Sequence, residues 1–185
     1  MSYDVALFVG SVRKASLSLK LAHALVTIQP AELKLEIVPV GGLPLYNPDN
    51  DVQVPEEWSR LRARIKRADA VLFVTPEHNR SVPAPMKNAI DIASRPYGAS
   101  AWNGKPGAVI SSSPGAIGGF GANHHLRQML VFLNVPTMQQ PEAYIGHVDK
   151  LFDANGRLAN KNTAEFLEVF LGAFVKWIDA NRSTA

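Results

Sequence analysis

The chain of 185 residues contains no cysteine. Disulfides, thiolate metal sites and iron–sulfur clusters are therefore excluded. No apolar stretch approaches the ~20 residues that a membrane-spanning helix needs. The opening residues "MSYDVALFVG" lack the basic start and cleavage site of a secretory signal. A cytoplasmic protein is the resulting expectation. Charged residues make up only 19% of the chain, with a net charge of +3. The densest charged run is "RLRARIKR", residues 60–67, set among Trp58, Leu61, Ile65 and Ala68. Those four share one apolar helical stripe. Arg60, Arg64 and Arg67 then read as a solvated stripe. Nucleic-acid binding would need a broader basic face with stacking aromatics, so no nucleic-acid partner is expected.

Several motifs are also missing. After Gly10 no glycine appears until Gly41, so the dinucleotide spacing G-x-G-x-x-G is absent. The P-loop ending G-K-[ST] and the nucleophile elbow G-x-S-x-G are absent too. His124 and His125 are adjacent, and on a helix they diverge by about 100°. They make a poor metal pair, and no H-E-x-x-H motif accompanies them, so no metal site is expected.

What is present is an alternation of short apolar runs and helical stripes. Hydrophobic residues make up 46% of the chain, enough for one domain spanning residues 1–185 with a full core. Residues 3–9, 70–74 and 107–110 are apolar on both faces, which suits buried parallel strands. In residues 33–40, Leu33, Leu35 and Ile37 alternate with Lys34 and Glu36, as an edge strand would. A last strand is expected at "VPTMQ", residues 135–139. Helical stripes follow the strands: Leu17, Leu21, Ala24, Leu25 and Ile28 first, then residues 54–68 and 83–94. Leu126, Met129, Leu130 and Leu133 mark the fourth helix. The fifth is expected to open at "NTAE", where Asn162 and Glu165 have capping-box spacing, and to carry Phe166, Phe170, Phe174 and Trp177 on one face. "DANG", residues 153–156, reads as a turn.

Five β-α units predict a doubly wound α/β sandwich, a parallel sheet in order 2-1-3-4-5. Ligands in such sheets bind at the carboxyl ends of the strands, near the switch point between strands 1 and 3. Three unusual loops meet there. The first, "GSVRKASLS" at residues 10–18, places Ser11, Arg13, Ser16 and Ser18 at a helix N-terminus. Backbone N–H groups, the helix dipole, hydroxyls and a guanidinium all favour an anion. A plain helix cap would explain one serine, not three with an arginine. One phosphate suits this loop better than a pyrophosphate. In the second, "TPEHNRSVPAPMKNAID" at residues 75–91, Glu77, His78, Asn79 and Arg80 fit a polar surface loop. They also fit a rigid segment presenting its backbone to a flat heteroaromatic ring. The third, "SSSPGAIGGFGANHHLRQ" at residues 111–128, has Gly115, Gly118, Gly119 and Gly121. Composition leaves it open between a flexible connection and close approach to a ligand.

Taken together, "GSVRKAS", "TPEHNRSVPAPMKNAID" and "SPGAIGGFGANHHLRQ" resemble the NADPH-dependent FMN reductase family, and within it the flavodoxin-like quinone, chromate and azo-dye reductases. The resemblance runs from residue 4 to about residue 145. It implies a flavodoxin-like three-layer sandwich that binds FMN, with NADPH or NADH as co-substrate. By position, Ser11, Arg13, Ser16, Ser18 and Leu19 match the phosphate loop. Pro76, Glu77, His78, Asn79 and Ser81 match the segment beside the isoalloxazine. Ser113, Gly115 and Gly118 match the third loop. Relatives usually have Tyr where His78 stands. Chromate-reducing relatives have Arg and Tyr where this chain has Gly121 and His124; with a Glu matching Glu142, these join contacts between dimers. The resemblance implies a homodimer, with a tetramer as the further assembly.

It further implies that nicotinamide gives hydride to the flavin, and that quinones, chromate, azo compounds or free flavin take the electrons. No protein nucleophile or acid–base dyad is then required. Two other readings compete. A flavodoxin-like electron carrier would be strongly acidic with a Thr-rich phosphate loop, unlike this basic chain. A receiver-type signalling domain would need acidic residues at the carboxyl ends of strands 1 and 3, whereas Asp4 and Asp69 lie at the strand starts.

Overall fold

Runs of Val, Leu, Ile and Phe make strands here because each can bury side chains on two faces at once. The computed structural model describes residues 2–182. Its strands β1 (Tyr3–Val9), β2 (Leu33–Val38), β3 (Ala70–Pro76), β4 (Gly107–Ser112) and β5 (Ala143–Ile145) form one parallel sheet in order β2-β1-β3-β4-β5. Helices α1 (Leu17–Ile28), α2 (Glu56–Arg67), α3 (Ala84–Ala93), α4 (Phe120–Phe132) and α5 (Lys161–Asn181) cover it. The order is the one expected from the alternation of elements.

Successive strand residues point to opposite faces, so each central strand feeds two cores. Ala6, Phe8, Val71, Phe73 and Val109 pack with α2, α3 and α4. Val5, Leu7, Leu72, Val74 and Ile110 pack with α1 and α5. On the first face Phe8 stacks on Phe73 with centroids 5.4 Å apart, and Trp102 meets Phe8 edge-on at 5.2 Å. Each tryptophan satisfies its indole N–H on a carbonyl: Trp58 on Pro44, Trp102 on Ile90 and Trp177 on Pro136. β2 keeps its expected alternation, burying Leu33 and Leu35 and exposing Lys34 and Glu36 at the sheet edge.

Three sequence expectations are corrected. Residues 135–139 form no full strand. Gly107 donates to the Pro136 carbonyl and accepts from Met138, making a single bridge to Thr137. Pro141, which has no N–H to give a ladder, follows, and the last strand begins at Ala143. The half-buried Arg127 supports this interrupted segment. Its Nε donates to Asn123 and its Nη1 to the Met138 carbonyl, while Asn123 Nδ2 reaches Ala143 O. Burial lowers the Arg127 pKa, and Tyr144 and Glu142 oppose the shift.

Second, α5 is capped by Asn160 and not Asn162. Asn160 Oδ1 accepts from Thr163 N at 2.9 Å, and Glu165 pairs with Lys161 instead of closing a capping box. Third, Arg64 does not belong to a solvated stripe. Its side chain is only 9% exposed and its Nη2 lies 2.7 Å from Asp4 Oδ1 and 3.0 Å from Glu36 Oε2. Position 64 lies three residues after Leu61, on the buried side of α2. It ties α2 to β1 and β2. The turn at Asn155–Gly156 is as expected, with Gly156 N–H on the Asp153 carbonyl.

Candidate active site

The carboxyl ends of β1, β3 and β4 converge on one cleft of about 200 Å³. From the first loop it is lined by Ser11, Arg13, Ser16, Leu17 and Ser18. Pro76, Glu77 and His78 come from the second, and Ser112, Ser113, Pro114 and Val148 from the third side. Larger grooves of about 420, 410 and 380 Å³ lie elsewhere, beside α2, between α3 and α4, and between β5 and the start of α5. None of these brings together hydroxyls, a helix N-terminus and a free guanidinium.

The first loop is shaped by the start of α1. Ser16 has extended backbone and its Oγ accepts from Leu19 N at 3.0 Å, a true N-cap. That uses one lone pair of the hydroxyl, and its proton stays free to donate into the cleft. The first-turn N–H groups of Leu17 and Ser18 have no carbonyl within the helix to bond. Ser11 Oγ receives Arg13 N at 3.4 Å, curling the loop around the cleft. Arg13 is exposed and supplies the positive charge. Ser18 plays a different part from its neighbours: it is buried, and its Oγ lies 3.1 Å from Ser112 Oγ. It fastens α1 to the end of β4.

The second loop is a two-residue hairpin. His78 N–H donates to Ser81 O and Ser81 N–H to His78 O, both at 2.9 Å. Asn79 and Arg80 at its tip have φ of 50° and 66°, the left-handed pair that such a turn demands. Asn tolerates this conformation; for Arg it is strained, and strain persists where surroundings over-determine it. Those surroundings are visible. Glu77 accepts from Ala122 N at 3.0 Å, capping the start of α4, and from Arg80 at 3.3 Å. Ser81 Oγ meets His125 Nδ1 at 2.7 Å. Gly10 passes so close that an added Cβ would lie 3.2 Å from Pro76 Cδ and Thr75 Oγ1. The Glu77 carboxylate is thus committed to α4, and the backbone beside it faces the cleft.

Of the positions singled out in the sequence, Ser11, Arg13, Ser16, Ser18, Pro76, Glu77, His78 and Ser113 line the cleft. Leu19 is half-buried and packs against the core that α1 covers. Asn79 and Ser81 hold the hairpin tip and its tether. Gly115 and Gly118 shape the third loop without lining the cleft: Gly115 N–H donates to Ser113 Oγ, and its carbonyl accepts from Gly118. Gly118 and Gly121 leave room for protein, namely the Tyr144 backbone and the Glu77 and Arg80 atoms. Sequence reasoning missed Leu17, Ser112, Pro114 and Val148 as lining residues. Ser112 and Pro114 sit inside the quoted "SSSPG" stretch. Val148 follows β5 and carried no local signal.

The donor set fits a mononucleotide phosphate: one guanidinium, neutral hydroxyls and a helix start converge, and the cleft's carboxylate is already engaged. The cleft is smaller than the ~300–1,000 Å³ that encloses a drug-sized ligand. A flat ring would therefore remain open to solvent beside the exposed His78 and Asn79.

Fold and cleft together define the class of flavodoxin-like mononucleotide-binding proteins. The family model for NADPH-dependent FMN reductases matches residues 3–150, and the chain belongs to that family. A quinone reductase of Pseudomonas putida is 59% identical over 182 residues, spanning 98% of this chain and 97% of that protein. A 2-hydroxy-1,4-benzoquinone reductase of a Burkholderia species is 43% identical over 182 residues, 98% of this chain and 100% of that one. Among solved structures, the flavoenzyme NAD(P)H:(acceptor) oxidoreductase of Paracoccus denitrificans superposes with a TM-score of 0.92 at 44% identity. That match covers 98% of this chain and 100% of the other.

Proposed function

We propose that this protein is an FMN-dependent NAD(P)H:quinone oxidoreductase whose cofactor site is the three-loop cleft. Bound FMN supplies the redox chemistry, accepting hydride from nicotinamide and passing electrons to the acceptor. The protein's task is to bind, orient and leave one face open. The observation that carries the reading is the meeting of Arg13 and the α1 N-terminus with a strained, tethered hairpin at the sheet's switch point. Arg13, Ser11 and Ser16 take the phosphate. Ser18, tied to Ser112, holds the α1 start in register with β4. Pro76, Glu77, His78 and Asn79 present backbone to the ring, and Ser113, held by the Gly115 N–H, borders it from the third loop.

Related acceptors without a shape code, such as chromate, azo compounds and free flavin, belong to the same reading because the ring side of the cleft is open. So does one flavodoxin-like domain for the whole chain, in a cytoplasmic setting. A homodimer is supported by Val131 and Phe132 of α4, 75% and 78% exposed beside the groove between α3 and α4. Light scattering of the purified protein reads the assembly, with a tetramer as the contrary outcome.

The deciding experiment is anaerobic. Purified protein is saturated with FMN, NADPH is added, and then a benzoquinone. Rapid bleaching of the flavin followed by quinone-dependent recovery is expected. Flavin binding without bleaching would make the protein an electron carrier, and no flavin binding would overturn the cofactor assignment.

A further inference from the structure

We propose that His78 is the proton donor to the acceptor oxygen, a role that rests on the quinone-reductase reading. The overall reaction consumes NAD(P)H, a quinone and one proton, and yields NAD(P)⁺ and the hydroquinone. Nicotinamide provides two electrons and one hydrogen. The other hydrogen reaches the quinone as a proton. In this step the imidazolium N–H bond breaks, a quinone O–H bond forms, and the neutral ring takes a proton back from water.

The residues lining the cleft leave few sources for that proton. Serine hydroxyls, Pro76, Pro114, Leu17 and Val148 do not ionise near neutrality. Arginine holds its proton throughout the working range, which removes Arg13. The Glu77 carboxylate already accepts from Ala122 N and Arg80. His78 is the lining residue with an imidazole ring, whose nitrogens can carry a proton and hand it on.

Its placement suits the task. The His78 backbone is pinned in the hairpin by two hydrogen bonds to Ser81. Its side chain is exposed at the mouth of the cleft and hydrogen-bonds to no other described residue. It can therefore meet an incoming acceptor and recover a proton from solvent. The charged and titratable groups around it are Glu77 and Arg80 on the hairpin, Arg13 on the first loop, and His125 of α4 through Ser81. On the third side His147 and Asp149 flank Val148, while the lining residues there are uncharged.

The test compares wild type with His78→Gln using two acceptors. A benzoquinone needs protons; ferricyanide takes one electron and no proton. The quinone-to-ferricyanide rate ratio should fall at least about tenfold in the variant, less than the ~10²–10⁴ of general acid catalysis because water competes. The wild-type quinone rate should depend on pH more steeply than the variant's. Independently of turnover, the His78 resonance in proton–nitrogen spectra should move when FMN is added to the apo-protein. An unchanged rate ratio, a pH profile shared by both proteins, or a His78 signal indifferent to FMN overturns the proposal. Normal NADPH bleaching with an unchanged ratio sinks His78 alone. Failure of both proteins to bind FMN sinks the quinone-reductase reading with it.

Discussion

Replacing Gly118 with alanine separates two reasons for the glycines of the third loop. A Cβ built at Gly118 would lie 2.5 Å from the Tyr144 carbonyl carbon, 2.7 Å from its oxygen and 2.8 Å from Ile145 N. All three are backbone atoms of β5, and none can rotate away. The residue also has φ of +64°, where an L-residue costs about 1–2 kcal/mol. Overpacking adds about 1–3 kcal/mol. The stiffer unfolded chain returns about 0.4–1 kcal/mol. The net loss is about 1–4.6 kcal/mol, to be set against the ~5–15 kcal/mol that holds a domain together. Urea unfolding of the apo-protein measures it, with Gly115→Ala as control. At Gly115 the nearest atom is Ser113 Oγ at 3.5 Å, and apo stability should change by less than about 1 kcal/mol. If Gly118→Ala unfolds like wild type yet loses FMN affinity, the glycine serves the ligand and the packing account is wrong.

Other outcomes follow from the same geometry. Arg13→Ala should weaken FMN binding by about 1.5–3 kcal/mol, the range for a hydrogen bond to a charged group, and riboflavin should bind far worse than FMN; unchanged flavin-fluorescence titrations would refute the phosphate assignment. Arg64→Ala should destabilise by about 2–4 kcal/mol in thermal unfolding because it strips Asp4 and Glu36 of a buried partner. The exposed Arg60→Ala should cost less than about 1 kcal/mol, so equal losses would contradict the buried tie. Burial, followed by a hydrogen bond with Glu142 and its charge, pushes the Tyr144 phenol up to about 12, with Arg127 opposing. The unfolded chain then ionises first, near the ordinary value of about 10. Tyr144's contribution is intact below about pH 10 and is lost as pH rises toward about 12. Phenol absorbance should show a late-ionising tyrosine whose midpoint falls in Glu142→Gln.

The strand order and most of the cleft were legible in the chain because local signals agreed with the global arrangement. Doubly apolar runs suit central parallel strands buried on two faces, and the alternating Leu33–Ile37 stretch suits an edge with one face wetter. Where expectation failed, long-range contacts decided. Arg64 reads as one more surface cation until Asp4 and Glu36 are brought beside it. The stretch 135–139 has strand composition, but Pro141 and the Arg127 brace move the ladder to Ala143.

The sandwich, its switch point and the three loops that border it can be read from the chain, since periodicity and loop chemistry are local properties. The division of labour within those loops comes from contacts between distant segments. Ser18 turns to Ser112, Glu77 turns to the start of α4, and Gly118 makes way for β5. Val148 arrives at the cleft from far along the chain. Each choice depends on which distant group can satisfy a buried polar atom or fill a close contact, and no local spacing records that.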